Sequence, residues 1–317
     1  MTSQTRGILL ALMAFAVYAF HDTIIKFLGG GYSPFQVVFF TMLYSFPLGT
    51  VMMMSDRTPG TLRPVHPWWT IIRAISMVIA SGACFYAFSV LPLADTYAIL
   101  FATPILITLL AIPILGEQVR LRRGLAIIVG LIGVVIVLQP GQSELTLGHG
   151  AALLASVCAA LVATIVRKIG REERSVVMLI YPWIATLVVM GAAMPFVYNP
   201  MEGIDMGMNA GIAVLAFIAL LLIIEAYKRA EAALIAPMQY SQMLWAIFYG
   251  WLFFDEWPGQ TTFIGVALII ASGLYIVFRE ASSDASENTP VLRSRSRPGV
   301  SGSPGVGTAL RTLRLIR

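Results

Sequence analysis

The stretch ILFATPILITLLAIPILGEQ, residues 99–118, has a counterpart in PMQYSQMLWAIFYGWLFFDEW, residues 237–257, and this pairing decides the fold. At an offset of 139 residues Phe101 falls on Tyr240 and Glu117 on Glu256. Two more pairs flank it. TIIKFLG (23–29) matches TIVRKIG (164–170) at an offset of 141, and GLAIIVGLIGVVIVL (124–138) resembles GVALIIASGLYIVF (265–278). Self-similarity with a period of about 140 residues marks two units of like architecture. They are residues 1–140 and 141–280, followed by a tail, 281–317, rich in Ser, Pro, Gly and Arg. That composition reads as a disordered cytoplasmic segment.

Composition shows what solvent these units face. Hydrophobic residues make up 58% of the chain and charged residues 12%, about half the charge of a typical soluble domain. Charge-free stretches recur at the length that crosses a bilayer, about 20 residues. They predict ten helices: 7–28, 35–54, 69–90, 94–115, 121–139, 148–168, 175–197, 210–228, 232–254 and 259–278. Five helices per half is an odd number, so the second half is inserted upside down, an architecture shared by many secondary transporters. The fold class is thus an all-α polytopic membrane protein with ten transmembrane helices in a five-plus-five inverted-topology repeat. The basic residues give the orientation. With both termini in the cytoplasm, every Lys and Arg except Lys26 falls in a cytoplasmic segment or the tail, and the outer loops hold none, as the positive-inside rule asks. The net charge of +5 therefore reflects topology and lipid, not nucleic acid. A cleaved signal peptide over residues 1–20 fits the early residues, but the repeat needs this helix as its first member.

Several chemistries are excluded. The chain lacks a P-loop, HExxH and GxSxG, so neither ATP drive nor a familiar hydrolase or zinc centre is supported. Cys84 and Cys158 lie mid-span and build neither a disulfide framework nor a metal cluster; no cofactor is expected. A membrane-embedded enzyme would need a clustered nucleophile and base, which only His21 and Asp22 approach.

Ten spans in this repeat, with a proline-containing fourth helix ending in LGE (115–117), resemble the EamA family of the drug/metabolite transporter superfamily. The resemblance covers residues 7–279. The second half departs from the pattern, with FDE (254–256) in place of LGE and with Ser241 and Met243 near the position of the first half's proline. The resemblance implies a permease for small metabolites in the cell inner membrane. Its central cavity would be lined by the third, fourth, eighth and ninth helices with the first and sixth beside them. The opening HDTIIK (21–26) and an aromatic-plus-amide lining are similar to the riboflavin-importing branch. Riboflavin uptake is the sharpest expectation, with S-adenosylmethionine uptake or metabolite efflux as alternatives.

Ionisable groups inside a membrane are costly and call for a function. AFHDTIIKFL (19–28) carries His21, Asp22 and Lys26. Asp22 and Lys26 share a face in the favourable acid-before-base order, which makes a neutralised pair or a working carboxylate tuned by His21. Glu225 either pairs with Lys228 or Arg229, or binds a cation; its repeat counterpart is Tyr86. Arg73 either snorkels to headgroups or meets an anionic substrate. Asp95 is placed to cap the fourth helix, and Glu117 and Glu256 read as structural helix-end residues. Tyr97 and Phe101 on the fourth helix, with Gln239, Tyr240, Gln242 and Trp245 on the ninth, form a polar-aromatic set suited to a flat heteroaromatic ligand. The glycines Gly124, Gly130, Gly133, Gly265 and Gly273 read as close-packing positions.

Overall fold

The computed structural model describes residues 3–54, 62–116, 121–138, 146–170, 172–230 and 235–281. The tail, the 140/141 boundary between the halves and Glu117 lie outside the described residues. Within them the chain is helical, with no strand. The first half comprises α1 (Ser3–Gly29), α2 (Pro34–Met54), α3 (Pro67–Val90), α4 (Leu93–Leu100), α5 (Thr103–Leu115) and α6 (Leu121–Leu138). The second comprises α7 (Leu147–Ile169), α8 (Ser175–Val197), α9 (Gly203–Arg229), a 3₁₀ turn (Ala236–Tyr240), α10 (Ser241–Phe254) and α11 (Gln260–Ala281). Among the described residues six segments are long and apolar enough to cross a membrane, counting 93–115 as one, and the stretches 124–138 and 260–275 are shorter apolar helices.

Two expected helices are not continuous. The fourth steps at Phe101–Ala102, where the Ala102 N–H turns to the Ile99 carbonyl at 3.0 Å. Pro104 causes the step, because it has no N–H to give to Leu100. The Thr103 hydroxyl takes that role and donates to the Leu100 oxygen at 2.7 Å, while Ser156 of α7 donates to the Ile99 oxygen at 3.1 Å. Thr103→Val should therefore leave a buried carbonyl short of a donor, lowering stability by about 1 kcal/mol; thermal unfolding in detergent measures it. The ninth span opens as the 3₁₀ turn containing Pro237 and becomes α-helical at Ser241. The two breaks, Phe101–Ala102 and Tyr240–Ser241, occupy corresponding places in the repeat.

The helix ends correspond too. After α5, Gly116 takes a left-handed conformation (φ 72°), and after α10 Asp255 does the same (φ 54°). Asp is among the few residues with a side chain that visit this region readily, so FDE closes its helix in the same backbone state as LGE.

Across the halves α1 packs on α9, α3 on α7, α2 on α8 and α6 on α11. The last pair approaches backbone to backbone: a Cβ on Gly133 would lie 2.7 Å from the Gly265 carbonyl, and one on Gly265 would lie 2.6 Å from the Gly133 carbonyl. Gly124 differs, with nothing within 4 Å of an added Cβ. The main apolar core runs through Phe88, Leu93, Tyr97, Ile99, Leu100 and Phe101 and reaches Tyr240 and Met243.

Two groups of polar contacts join the halves near their connecting segments. In one, Tyr32 donates to Asp205 at 2.5 Å, and Gln36 and Asn199 exchange bonds at 2.6 and 2.8 Å. The Asp205 carboxylate raises the Tyr32 phenol above its ordinary range. In the other, the His66 N–H donates to Glu173 at 2.6 Å, the His66 ring meets Glu172 at 2.6 Å, and Tyr181 donates to the Leu62 carbonyl at 3.2 Å.

Candidate functional site

α1 packs on the 3₁₀ turn and on α10, reaches Tyr97 of α4 through Asp22, and carries residues that the sequence singles out. His21 Nδ1 lies 2.7 Å from Asp22 Oδ1, and Tyr97 of α4 donates its phenol hydrogen to Asp22 Oδ2. Gln242 of α10 donates from Nε2 to the Tyr97 oxygen at 3.3 Å. His21, Asp22 and Gln242 are 1% exposed and Tyr97 is 3% exposed, so this polar chain, linking three helices, is sealed in the core. A buried carboxylate is tolerated only where donors replace its water, and here an imidazole and a phenol do so.

Beside the chain lies a row of rings. Tyr97 is 5.9 Å from Phe101, which meets Tyr240 edge-on at 5.3 Å; Phe88 backs Tyr97 at 5.4 Å. Tyr240 and Phe101 are the residues at the two breaks, and the Tyr240 hydroxyl packs directly over Gly273 of α11. On either side of Tyr240, Gln239 Nε2 and Ser241 Oγ are buried without a hydrogen-bond partner. Such atoms cost free energy unless something satisfies them. The two rings at the breaks thus have an unpaired amide donor and an unpaired hydroxyl on the residues next to Tyr240 in the chain.

Lys26 does not rely on Asp22. Its ammonium donates to the Leu91 carbonyl at 2.6 Å and to Glu256 Oε1, and it lies 5.0 Å from the Phe254 ring centroid. Glu256 Oε2 in turn accepts the Leu93 N–H at 3.2 Å. The expected i,i+4 pair gives way because Leu91 is the C-cap of α3, where helix-end carbonyls need donors, and Glu256 stands beside it. Glu256, expected to be structural at its own helix end, joins the halves.

The other candidates are placed elsewhere. Arg73 is buried on α3 and donates to the Met178 carbonyl; it precedes Phe88 by fifteen positions, about 22 Å along the helix. Glu225 bonds Lys228 at 3.0 Å and Arg229 at 2.8 Å on its own helix. Tyr86 is half-buried, and its carbonyl accepts from Ser89 at 2.7 Å. Trp245 stacks on Tyr249 at 6.2 Å, within an aromatic seam that reaches Phe20 of α1. Asp95 does not cap α4, whose N-cap is Pro92; it accepts from Thr262 of α11 at 2.8 Å. Ser241 and Glu256 are the residues that sequence reasoning undervalued. Ser241 was visible only as a departure from the proline of the first half.

The family model described as the EamA-like transporter family matches residues 5–139 and 146–278. The S-adenosylmethionine uptake transporter of Rickettsia prowazekii is 23% identical over 283 residues, 89% of this chain and 96% of its own. The riboflavin transporter of Rhizobium johnstonii is 26% identical over 248 residues, 76% and 78% of the two chains. The pseudopaline exporter CntI of Pseudomonas aeruginosa is 23% identical over 275 residues, 84% and 94%. A solved crystal structure superposes with a TM-score of 0.60 at 18% identity, covering 90% of this chain and all of its own; that likeness concerns the fold. Two consecutive family matches span both halves and every residue of the buried chain, so the protein belongs to the EamA-like transporter family and is a multi-pass membrane transporter of small metabolites, not an enzyme.

Proposed function

We propose that the protein carries a flat heteroaromatic metabolite across the inner membrane by alternating access between two inverted halves. The observation that carries this reading is the pair of helix breaks at Phe101–Ala102 and Tyr240–Ser241, with their rings 5.3 Å apart and unpartnered Gln239 and Ser241 beside them. Broken helices at corresponding places in two repeats are where transporters bind cargo. The inverted arrangement of ten crossings has its own support. The packing pairs α1–α9 and α3–α7 exchange under the repeat, and Gly116 and Asp255 share one backbone state. The two groups of polar contacts also pair the connecting segments as alternate crossings would, and the positive-inside rule favours the cytoplasm for the side with the basic segments and the termini.

Among such substrates riboflavin fits best. Its ring system is uncharged and edged by acceptors, and the unpartnered groups at the rings are a neutral amide and hydroxyl. The Asp22 carboxylate is already held by protein donors. S-adenosylmethionine is the second reading, favoured by the near full-length match to the Rickettsia prowazekii protein and by aromatic faces that attract a sulfonium cation. Expression in a riboflavin auxotroph tests the first, and uptake of labelled S-adenosylmethionine into membrane vesicles tests the second. Rescue supports riboflavin. No rescue with confirmed membrane insertion, alongside saturable S-adenosylmethionine uptake, replaces it with the second reading. Movement of neither overturns the heteroaromatic reading.

A further inference from the structure

The rings and the carboxylate are separate pieces of chemistry. Gln239 and Ser241 stand unpartnered at the rings. Asp22 instead accepts from groups of the chain on both oxygens, His21 at Oδ1 and Tyr97 at Oδ2. The surroundings of Asp22 include Tyr18 and Lys26 on α1 itself, the latter bound to Glu256 beyond α10. On α9, Glu225 pairs with Lys228 and Arg229, and on α3 Arg73 is bonded to the Met178 carbonyl. On α4 itself Asp95 accepts from Thr262 of α11 at 2.8 Å. The His21–Asp22 pair is the one bonded to the broken fourth span through Tyr97. Two donors stabilise the Asp22 anion, while the membrane interior penalises any net charge.

We infer that Asp22 binds the coupling proton, and that substrate movement is tied to the uptake of one proton there and its release on the other side. This rests on the transport reading above. A proton added to Oδ2 turns the carboxylate into an acid that donates to the Tyr97 oxygen, reversing the present bond. Tyr97 must then rotate its own hydrogen away, and its oxygen must take the Asp22 donor beside the Gln242 amide, now at 3.3 Å. Gln242 directly follows Ser241 at the start of α10. The protonation state of Asp22 is in this way transmitted to the break that carries Tyr240, Gln239 and Ser241. Proton and cargo need not touch to be coupled. A ligand that engages Gln239 or Ser241 shifts Gln242, and by linkage ligand and proton then change each other's affinity by one common factor.

The experiment uses the full chain in proteoliposomes with labelled riboflavin, and separately with labelled S-adenosylmethionine. An imposed pH gradient should drive accumulation of whichever is carried, and a protonophore should abolish it. Asp22→Asn should lower gradient-driven accumulation at least about tenfold, the scale set by loss of one charge-assisted interaction. In parallel, infrared difference spectra of the purified protein between high and low pH should show a protonated-carboxyl band that Asp22→Asn removes. Tyr97→Phe, which keeps the ring, should shift the titration midpoint of that band and serves if Asp22→Asn does not fold. Transport of either probe that ignores the pH gradient overturns the proposal and leaves the transport reading standing. Transport of neither probe overturns the substrate reading, and the infrared band still decides whether Asp22 exchanges a proton. A band that is absent, or unmoved by both variants, also overturns it.

Discussion

Lys26→Glu should destabilise the folded transporter by about 2 kcal/mol, seen as a lower thermal midpoint in detergent and as loss of uptake. Glu256→Lys should do the same. The double exchange should recover the larger part of that loss, but not all of it. The side chains are 10% and 25% exposed, so the pair is worth more than the 0–1 kcal/mol of a surface bridge and less than a fully desolvated one. Either single reversal sets like charges against each other at a junction of α1, the α3–α4 link and the end of α10. The exchange restores the attraction between them. It does not restore the rest, because a carboxylate at position 26 would face the Leu91 carbonyl and an ammonium at position 256 would face the Leu93 N–H. Full recovery would mean that the two backbone contacts contribute nothing. No recovery would mean that Lys26 and Glu256 act on other partners.

The same junction shows how far the sequence could be read. Charge-free stretches and their basic borders made the helices legible, since both follow from the cost of charge in lipid. His21, Asp22, Tyr97, Phe101, Tyr240 and Gln242 were each visible as polar or aromatic residues on apolar helices. Their pairing was not. Periodicity along one helix reports neighbours three or four positions away, so it offered Lys26 to Asp22; the observed partner, Glu256, lies 230 residues on. Where the choice was local the sequence contained the answer, because Glu225 has Lys228 and Arg229 within one turn. The two helix breaks were not foreseen: 94–115 and 232–254 read as continuous apolar helices although Pro104 and Pro237 lie within them, and nothing local shows that Thr103 supplies the missing donor in the first. FDE looked like a departure from LGE because letters change more readily than backbone states; Asp255 and Gly116 take the same left-handed turn.

The same substitution at two places on α6 should act with opposite sign. Gly124→Ala meets nothing within 4 Å, so it should stabilise by about 0.5–1 kcal/mol, the helix-propensity difference between the two residues. Gly133→Ala gains the same propensity and loses more. Its Cβ would lie 2.7 Å from the Gly265 carbonyl and 3.1 Å from the Leu268 Cβ, and a backbone atom cannot turn aside as a side-chain tip can. Separating α6 from α11 to admit the methyl costs about 1–3 kcal/mol, so the net effect is a loss measurable as a lower thermal midpoint and a smaller folded yield. Gly265→Ala should match it, since its Cβ would meet the Gly133 carbonyl at 2.6 Å. The double variant discriminates further. Each glycine makes room for the other's carbonyl, so once the first methyl has moved the helices apart the second finds space, and the double variant should lose less than the sum of the two single losses. Strict additivity would show that the two glycines are felt through different neighbours, Gly133 through Ile269 and Gly265 through Val137, and not through the shared crossing.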